Sequence, residues 1–296
     1  MKISVILNPY SNRWQAKAAL PQVQQAFEQH DCEVQIHETQ APSHATNLAE
    51  QIAREGDRTV VIAGGDGTIG EVVNGLYRVN PEGSLGPVGI IPLGTANDLV
   101  NNLGHPLSIE DAVRIIIQGK TRHLDLGKVN DWVFANNSAV GLEPVVTIFN
   151  IGMTRLRGVL RYLVAALRAI QSKPKWNMQI RWDDGEYDGP VSLVSVGNCP
   201  VTGGLFRMAP AADPEDGLLT FVYGYAPTRR AMLSLLPRAI SGAYVNDPRI
   251  HQHHSRAISI RCQPPTPLQA DGELRSETLT EIQYSILPGR LELFCP

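Results

Sequence analysis

The sequence has little of three things: cysteine, long apolar runs and an excess of positive charge. Its 296 residues include four cysteines, Cys32, Cys199, Cys262 and Cys295, which lie far apart and form no Cys-x-x-Cys pair. This spacing argues against a disulfide framework or a zinc site and is typical of thiols in a reducing cytosol. The formal net charge of −3 argues against a dedicated nucleic-acid binder, because counterion release needs a concentrated basic face.

No stretch of the sequence offers the roughly 18 uninterrupted apolar residues of a membrane-spanning helix. Residues 159–170 come nearest, but Arg161 and Arg168 interrupt them. The N-terminal apolar run, Ile3–Leu7, is shorter than the core of a signal peptide and predicts a first strand instead. We therefore expect a cytoplasmic protein that meets a membrane only at its surface, as a peripheral protein of the inner face.

The composition is that of a globular protein, with 43% hydrophobic and 19% charged residues, and the length favours two domains. Residues 1–125 alternate buried strands and amphipathic helices, which predicts an α/β domain with a parallel sheet and flanking helices. Residues 126–296 show short strand-like runs separated by turn signals, with helices near 158–170 and 228–240. This pattern predicts a mainly antiparallel β domain, whose last strand is compatible with a return to the first domain.

The most informative stretch is a buried strand, Thr59–Ala63, followed by Gly64-Gly65-Asp66-Gly67-Thr68 and a helix that carries Glu71. Glycines between a strand and a helix leave backbone N–H groups exposed at the helix N-terminus, which favours phosphate binding. A plain turn is the alternative, but the glycine cluster exceeds what a turn requires. Neither common phosphate motif fits, because no carboxylate ends the next strand and no Lys-Ser or Lys-Thr follows the glycines.

A second turn of the same kind follows the next predicted strand, Val88–Ile91. Its sequence, Pro92-Leu93-Gly94-Thr95-Ala96-Asn97-Asp98, again places a glycine and a hydroxyl ahead of a helix. Thr95 with Asp98 three residues later predicts a capping box, which is compatible with a nucleotide contact. Because parallel strands share one carboxyl edge, we expect both glycine turns at the ligand-binding edge of the sheet.

In these motifs the chain resembles the diacylglycerol kinase catalytic-domain family, in particular its soluble bacterial lipid kinases. The matching elements run in order along nearly the whole chain: Asn8-Pro9, Gly64–Thr68, Glu71, Asn74-Gly75, Pro92–Asp98, Gly197-Asn198, Gly203-Gly204, Ala209-Pro210, Asp216-Gly217-Leu218-Leu219 and Asp271-Gly272-Glu273. The resemblance implies a two-domain kinase fold similar to that of NAD kinase, with ATP and the lipid headgroup in the cleft between the domains. It also implies transfer of the γ-phosphate of ATP to a lipid hydroxyl, converting diacylglycerol to phosphatidic acid.

The resemblance assigns roles to three groups of residues. The residues implied to bind ATP are Asn8, Thr39, Gly64, Gly65, Asp66, Gly67, Thr68, Glu71, Gly94, Thr95 and Asn97. Asp271 and Glu273 are implied to be catalytic, with Glu273 as the general base. A structural Mg²⁺ site is implied at Asp213, Asp216 and the carbonyl of Leu218, and Asp66, Asp98 and Asp125 resemble the carboxylates that organise the catalytic Mg²⁺.

Carboxylate chemistry supports these roles, since hard oxygens suit Mg²⁺ and a positioned carboxylate can accept the proton of an alcohol. Without the resemblance, Asp271-Gly272 predicts a hairpin turn and residues 213–217 predict a solvated loop. The first loop departs from the family, because Tyr10 and Asn12 replace small residues.

Two other functions remain as alternatives. An NAD kinase would share the Gly-Gly-Asp-Gly loop, although its Asn-Glu dipeptide is replaced here by Asn136-Asn137. A non-catalytic nucleotide-binding regulator would have no chemical need for all of the carboxylates Asp66, Glu71, Asp98, Asp216, Asp271 and Glu273. The acceptor stays open among a diacylglycerol, a sphingoid base and a polyprenol, and a homodimer stays open as well.

Between Glu143 and Asp183 the sequence has no acidic residue. The basic residues of this segment are Arg155, Arg157, Arg161, Arg168, Lys173, Lys175 and Arg181. The segment predicts either contact with an anionic membrane surface, where each basic side chain adds about 1 kcal/mol, or a solvated helix that balances acids elsewhere. The histidines of residues 251–254 are expected on a solvated loop, without a metal.

Overall fold

A computed structural model describes residues 1–12, 14–56, 59–153, 158–172 and 175–296 of the chain. The chain divides into two compact units. Unit 1 consists of residues 1–126 and 288–296, and unit 2 consists of residues 127–287. Among the helices of the described residues, none has both the length and the apolar character that a membrane crossing requires.

Unit 1 is built on a parallel sheet with the strand order β4-β3-β1-β2. Its elements are β1 (Lys2–Leu7), α1 (Gln15–Ala18), α2 (Leu20–Glu28), β2 (Glu33–Glu38), α3 (His44–Glu55), β3 (Thr59–Gly64), α4 (Asp66–Val79), β4 (Leu85–Pro92), α5 (Asp98–Asn102) and α6 (Ile109–Gln118). The predicted parallel sheet with flanking helices is confirmed. The strand order reverses between β1 and β3, and ligands of such sheets bind at the carboxyl ends of the strands beside this reversal.

The packing of unit 1 follows from the apolar pattern of its strands. Strand β1 is buried from Ile3 onward, and so is β3 from Val60 onward, as expected of strands covered on both faces. Helices α2 and α6 pack their apolar residues against one side of β1, including Ile3 and Val5. Helix α3 packs against α4 and also contacts β1. The edge strand β2 alternates in burial instead.

The described residues of unit 2 form mainly antiparallel strands and three longer helices. The elements from residue 121 onward are β5 (Thr121–Val129), β6 (Trp132–Phe134), β7 (Asn137–Gly141), α7 (Leu142–Ile151), α8 (Gly158–Gln171), β8 (Trp176–Trp182), β9 (Gly185–Val191), β10 (Leu193–Gly197), β11 (Leu219–Gly224), α9 (Arg229–Ser241), a 3₁₀ turn (Ala243–Asn246), β12 (Ile250–Ser255), β13 (Ala257–Ala270) and β14 (Glu273–Phe294). Strand β5 begins in unit 1, and β14 ends there.

The strands of unit 2 form a sandwich because the long strand β13 changes its partner. Residues Ile258–Gln263 pair with β8, whereas Leu268–Ala270 pair with β7. Side chains from both sets of strands fill one core, in which Trp182 of β8 lies 5.4 Å from Phe221 of β11 between ring centroids. The predicted antiparallel β domain is therefore confirmed.

The expectation of a histidine loop at residues 251–254 is wrong, whereas the expected exposure holds for His251 and His254. These residues belong to β12, which pairs with β11. The ring of His253 lies 4.7 Å from that of Trp182, and the ring of His251 lies 5.1 Å from that of Tyr223. Residues 251–254 are extended because they pair with β11, and two of the histidines lie against aromatic rings of neighbouring strands. Those neighbours cannot be recognised from the histidines themselves.

Candidate active site

Four loops of unit 1 lie at one edge of its sheet, the edge at which the parallel strands end. In the strand register Leu7 is opposite both Glu38 and Ala63, and Gly64 is opposite Pro92. Asn8, Thr39, Gly65 and Gly94 therefore follow strands that end side by side. The prediction that the two glycine turns share an edge is confirmed, and the loops after β1 and β3 flank the reversal in strand order.

The two glycine turns touch through their backbones. A Cβ atom on Gly94 would lie 2.5 Å from the Cα of Gly65, and a Cβ on Gly65 would lie 2.9 Å from the Cα of Gly94. The backbone N–H of Leu93 donates to the carbonyl of Gly64 at 2.8 Å. Glycine is needed at both positions because the chains approach more closely than any side chain allows.

The glycine-rich loop leads directly into α4. Gly64 is the last residue of β3, Gly65 is the N-cap, and Asp66, Gly67 and Thr68 begin the helix. Because Gly65 has no side chain to cap the helix, the first backbone N–H groups of α4 form the kind of N-terminus that binds anions.

Polar contacts tie the neighbouring loops to this one. The Asn8 Nδ2 donates to Thr68 Oγ1 at 2.9 Å, and Thr95 Oγ1 donates to Asn12 Oδ1 at 3.3 Å. Thr39 is buried, and its N–H donates to the carbonyl of Leu7 at 2.9 Å. Asn12, which departs from the family pattern, therefore joins the first loop to the second glycine turn.

The predicted capping box of Thr95 and Asp98 is wrong. Helix α5 begins at Asp98 with Asn97 as its N-cap, and Asn97 Oδ1 accepts the N–H of Gly94 at 2.9 Å. Asp66, from the first glycine turn, caps the N-terminus of α5: its Oδ1 accepts the N–H of Leu99 at 3.2 Å. Burial raises the pKa of Asp66, and hydrogen bonds from the N–H groups of residues 97–99 oppose that shift.

The carboxylate of Glu71 points to the start of α3. Its two oxygens accept the N–H groups of Ser43 at 2.9 Å and Ala45 at 3.2 Å. Glu71 thus caps α3 from another helix. A negative charge at a helix N-terminus is stabilising because it interacts with the unpaired N–H groups and the helix dipole. Glu71 therefore links α4 to the N-terminus of α3, and its contact with ATP stays a prediction.

The predicted metal ligands do not form a ready cluster. Asp98 and Asp125 are buried, and Asp125 Oδ1 accepts the N–H of Gly289 at 2.6 Å. Asp213 and Asp216 are exposed on one loop, where they accept the N–H groups of Glu215 and Leu218. Within the described part of the chain, no three His, Cys, Asp or Glu side chains form a group that could hold a metal ion. The loop of residues 213–218 still offers solvent-exposed carboxylate oxygens, which are ligands that suit Mg²⁺.

In unit 2, Asp271 and Gly272 form the tight turn between β13 and β14. Both residues have positive φ, 49° and 78°, and Ala270 pairs with Glu273. These are features of a two-residue hairpin turn, for which Asp-Gly is a favoured sequence. The hairpin expected from Asp271-Gly272 is confirmed, and it is compatible with a catalytic role for its residues.

The carboxylate of Asp271 accepts hydrogen bonds from the backbone that joins β6 to β7. It accepts the N–H groups of Ala135 at 3.0 Å, Asn136 at 2.8 Å and Asn137 at 3.2 Å. The N–H of Asp271 in turn donates to the carbonyl of Asn137 at 2.8 Å. Asp271 therefore positions the hairpin, because its oxygens already serve three donors.

Glu273 is more accessible, with 45% of its side chain exposed. Its Oε2 lies 3.0 Å from Nη2 of Arg275, which is only 18% exposed. The guanidinium of Arg275 lies over the ring of Trp132, 3.5 Å from its centroid. A cation held on an aromatic ring thus orients the carboxylate of Glu273. Arg275 is not among the predicted site residues, although its spacing of two residues from Glu273 on strand β14 places both on one face.

An apolar cavity lies in unit 2 beneath helices α7, α8 and α9. The residues that line it include Leu142, Val146, Ile170, Phe206, Met208, Met232, Leu235 and Leu236. Glu143 and Thr202 contribute polar groups to its wall. Asn137 contacts both, donating from Nδ2 to Glu143 Oε2 at 3.5 Å and accepting at Oδ1 from Thr202 Oγ1 at 3.0 Å. Because the backbone of Asn137 also binds Asp271, the polar wall of the cavity adjoins the Asp271–Glu273 hairpin.

Models of known protein families match both units. The family model described as the diacylglycerol kinase catalytic domain matches residues 2–129. The model described as the YegS C-terminal NAD kinase β-sandwich-like domain matches residues 137–295.

Individual relatives match over most of their length. A diacylglycerol kinase of Bacillus subtilis is 30% identical over 271 residues, covering 91% of this chain and 88% of that protein. One of Staphylococcus carnosus is 27% identical over 295 residues, covering 99% of this chain and 94% of that protein. A crystal structure of a diacylglycerol kinase from Bacillus anthracis shares the fold, with a TM-score of 0.73 at 22% identity, covering 100% of this chain and 97% of that one.

An α/β unit and a sandwich unit, matched in that order, define a two-domain kinase fold. The chain belongs to the diacylglycerol kinase family. The family, the fold class and the enzyme class predicted from the sequence, a lipid kinase, are thereby confirmed.

Proposed function

We propose that this protein transfers the γ-phosphate of ATP to the free hydroxyl of a diacylglycerol and so forms phosphatidic acid. The observation that carries the proposal is the apolar cavity whose polar wall adjoins the Asp271–Glu273 hairpin through Asn137. A cavity with apolar walls and few polar groups suits an acyl chain, and the hairpin then supplies a carboxylate near the polar part of the same lipid.

The residues of each unit have distinct tasks in this reaction. The edge formed by Asn8, Gly65 and Gly94 receives the phosphates of ATP through backbone N–H groups. Glu273, oriented by Arg275, accepts the proton of the lipid hydroxyl. As that proton leaves, the hydroxyl oxygen bonds to the γ-phosphorus, the bond from that phosphorus to the β,γ-bridging oxygen breaks, and ADP departs. Such a transfer depends mainly on positioning and on stabilisation of charge.

Mg²⁺ belongs to this proposal as the counterion of the triphosphate, where it supplies positive charge. Asp98 and Asp125 remain the proposed ligands together with Asp66. Asp66 also keeps α5 in place by accepting the N–H of Leu99. The exposed carboxylates of Asp213 and Asp216, with the carbonyl of Leu218, remain the proposed structural site.

Incubation of the purified protein with γ-labelled ATP, Mg²⁺ and separate acceptors tests the function. We expect label in phosphatidic acid when dioleoylglycerol micelles are supplied. Label in NADP when NAD is supplied instead, or in no acceptor at all, would overturn the proposal. Sphingosine and a polyprenol serve as further acceptors. If either is labelled more strongly than dioleoylglycerol, that lipid and not the diacylglycerol is the substrate.

We further propose that helices α7, α8 and α9 meet an anionic membrane surface. Large apolar side chains are exposed on all three helices: Ile148, Ile151, Leu160, Leu167, Leu233 and Ile240. The sequences of α8 and α9 contain no acidic residue, and Arg168, Arg229 and Arg230 are exposed. This combination of exposed apolar groups and positive charge fits anionic lipid.

The basic segment contributes to that surface less than its sequence indicates. Arg161 Nε donates to the carbonyl of Asn150 at 3.0 Å, and Arg181 pairs with Glu186 at 3.3 Å. Both therefore have partners within unit 2. Arg155, Arg157 and Lys173 lie outside the described residues. Arg168 and Lys175 are exposed, and the Nζ of Lys175 lies 5.9 Å from the centroid of the Tyr225 ring.

Replacing Leu160 and Leu233 together by serine should weaken binding to phosphatidylglycerol vesicles by about tenfold or more, since each buried leucine contributes on the order of 1.5–3 kcal/mol. Cosedimentation measures the change. Leu107→Ser is the control, because Leu107 is 57% exposed and lies in unit 1. Equal binding by the double variant and the control, or equal binding to neutral vesicles, would contradict the proposed surface.

A further inference from the structure

The cavity wall contains a carboxyl group that the proposed phosphate transfer does not use. Glu143 lies in the first turn of α7 and lines the cavity. Its Oε1 is shielded from solvent and has no hydrogen-bond partner among the described residues. Its Oε2 accepts a hydrogen bond of 3.5 Å from Asn137. A shielded carboxyl oxygen without a partner is costly to keep, which points to a partner supplied by a ligand.

The surroundings of Glu143 favour its neutral form. Burial raises its pKa from the ordinary value of 4.5 to about 7, and the nearby side chains of Ser195 and Asn137 oppose the shift. The Ser195 hydroxyl is close to Glu143 but makes no hydrogen bond of normal geometry, since Ser195 Oγ and Glu143 Oε1 both lack a partner among the described residues. The titratable groups that face it are the phenols of Tyr244 and Tyr284, whose pKa values burial also raises, so they stay neutral. The described residues of helices α8 and α9 that line the cavity are apolar, such as Ala166, Ile170, Met232 and Ala239.

We propose that Glu143 determines acceptor specificity: its protonated carboxyl group donates a hydrogen bond to an ester carbonyl of a glycerolipid whose acyl chain occupies the cavity. This assignment rests on the proposed function and deepens it. An ester carbonyl only accepts hydrogen bonds, so it needs a donor, and a carboxylic acid in an apolar wall is one. An ammonium group would instead require two charges to be desolvated in that wall, which is costly.

The position of Glu143 fits the geometry of a diacylglycerol. Asn137 binds Glu143 through its side chain and Asp271 through its backbone, with its N–H 3.2 Å from Asp271 Oδ1. The carboxyl group of Glu143 is therefore separated from the catalytic hairpin by one residue. In a 1,2-diacylglycerol the ester on the second carbon is adjacent to the carbon that bears the free hydroxyl. The hydroxyl can then lie at the hairpin while the neighbouring ester contacts Glu143.

Binding of 1,2-dioctanoylglycerol in detergent micelles without ATP tests the assignment. We expect wild-type protein to bind about tenfold more weakly at pH 8.5 than at pH 6, the usual effect of one lost hydrogen bond. Glu143→Gln keeps a donor at every pH and should bind equally well at both. Glu143→Leu should bind weakly at both. Glu277→Gln is the matched control, because Glu277 is exposed in the same unit.

Three outcomes would overturn the assignment: equal binding by wild-type protein and Glu143→Leu, a pH dependence that persists in Glu143→Gln, or tighter binding of sphingosine that Glu143→Gln abolishes. The assay contains no ATP, so a failure of phosphate transfer leaves its result valid. Conversely, if the wild-type protein phosphorylates diacylglycerol and Glu143→Leu binds the lipid as tightly as the wild type, only the assignment of Glu143 is contradicted.

Thermal denaturation gives an independent readout. A carboxyl group whose pKa is raised in the folded state destabilises the fold as pH rises from about 4.5 to about 7, because the folded state binds the proton more tightly. The Tm of Glu143→Gln should therefore rise relative to wild type between pH 5 and pH 8.5. A constant difference in Tm over that range would show that Glu143 titrates normally and would contradict the assignment.

Discussion

Glu273→Gln should lower the rate of lipid phosphorylation by about a hundredfold or more, the usual contribution of a general base. Its ATP affinity and thermal stability should stay close to those of the wild type, because the side chain is 45% exposed. Glutamine keeps the shape of the side chain but cannot accept the proton of the hydroxyl. Single-turnover assays with γ-labelled ATP and dioleoylglycerol measure the loss.

Asp271→Asn is the matched comparison, since it removes one charge two residues away. Asp271 accepts three backbone N–H groups, and the amide of asparagine would turn a donor toward some of them. We expect this variant to lose about 1–3 kcal/mol of unfolding free energy, measured in urea, together with activity. Normal turnover by Glu273→Gln, beside a folded but inactive Asp271→Asn, would show that the base assignment is reversed.

Gly94→Ala should damage the proposed phosphate-binding edge. The added Cβ would lie 2.5 Å from the Cα of Gly65 and 2.5 Å from the Oδ1 of Asn97, so the two loops must separate. Overpacking of this kind typically costs about 1–3 kcal/mol of stability. ATP affinity should fall by about tenfold or more, because the backbone N–H groups of both loops shift together.

Calorimetric titration with an ATP analogue and urea denaturation measure these effects. Gly152→Ala is the control, because its Cβ would meet nothing closer than the carbonyl of Phe149 at 3.7 Å. ATP binding by Gly94→Ala at the wild-type affinity would show that the contact between the two glycine turns is not part of the nucleotide site.

Much of unit 1 could be predicted because its signals are local. The strand Thr59–Gly64 and the helix Ile109–Gln118 follow from continuous and periodic apolar patterns, and the edge position of Gly65 and Gly94 follows from parallel strands. In unit 2 the predictions were poorer. Strand β12 stands where the histidines of residues 251–254 predict a loop, and β14 is one long strand, Glu273–Phe294, where short runs are predicted. Strands of a sandwich are stabilised by distant partners, which the local pattern does not contain.

The site shows the same division. The residue types of the glycine turns and of the Asp271–Glu273 hairpin were visible, but the partners of their side chains were not. Thr95 was expected to cap α5, yet Asp66 does so from another loop. Glu71 was expected at ATP, and its carboxylate is seen capping α3.

From the amino-acid sequence alone came the kinase class, the glycine-lined edge and the carboxylate hairpin, because these depend on residue type and chain order. Only the tertiary structure showed that Asp271 and Glu273 have different surroundings, since the three amides around Asp271 come from a segment more than a hundred residues away in the chain. It alone also placed Glu143 in an apolar wall, where burial changes its protonation. Both properties arise from which groups surround a carboxylate, and folding decides that.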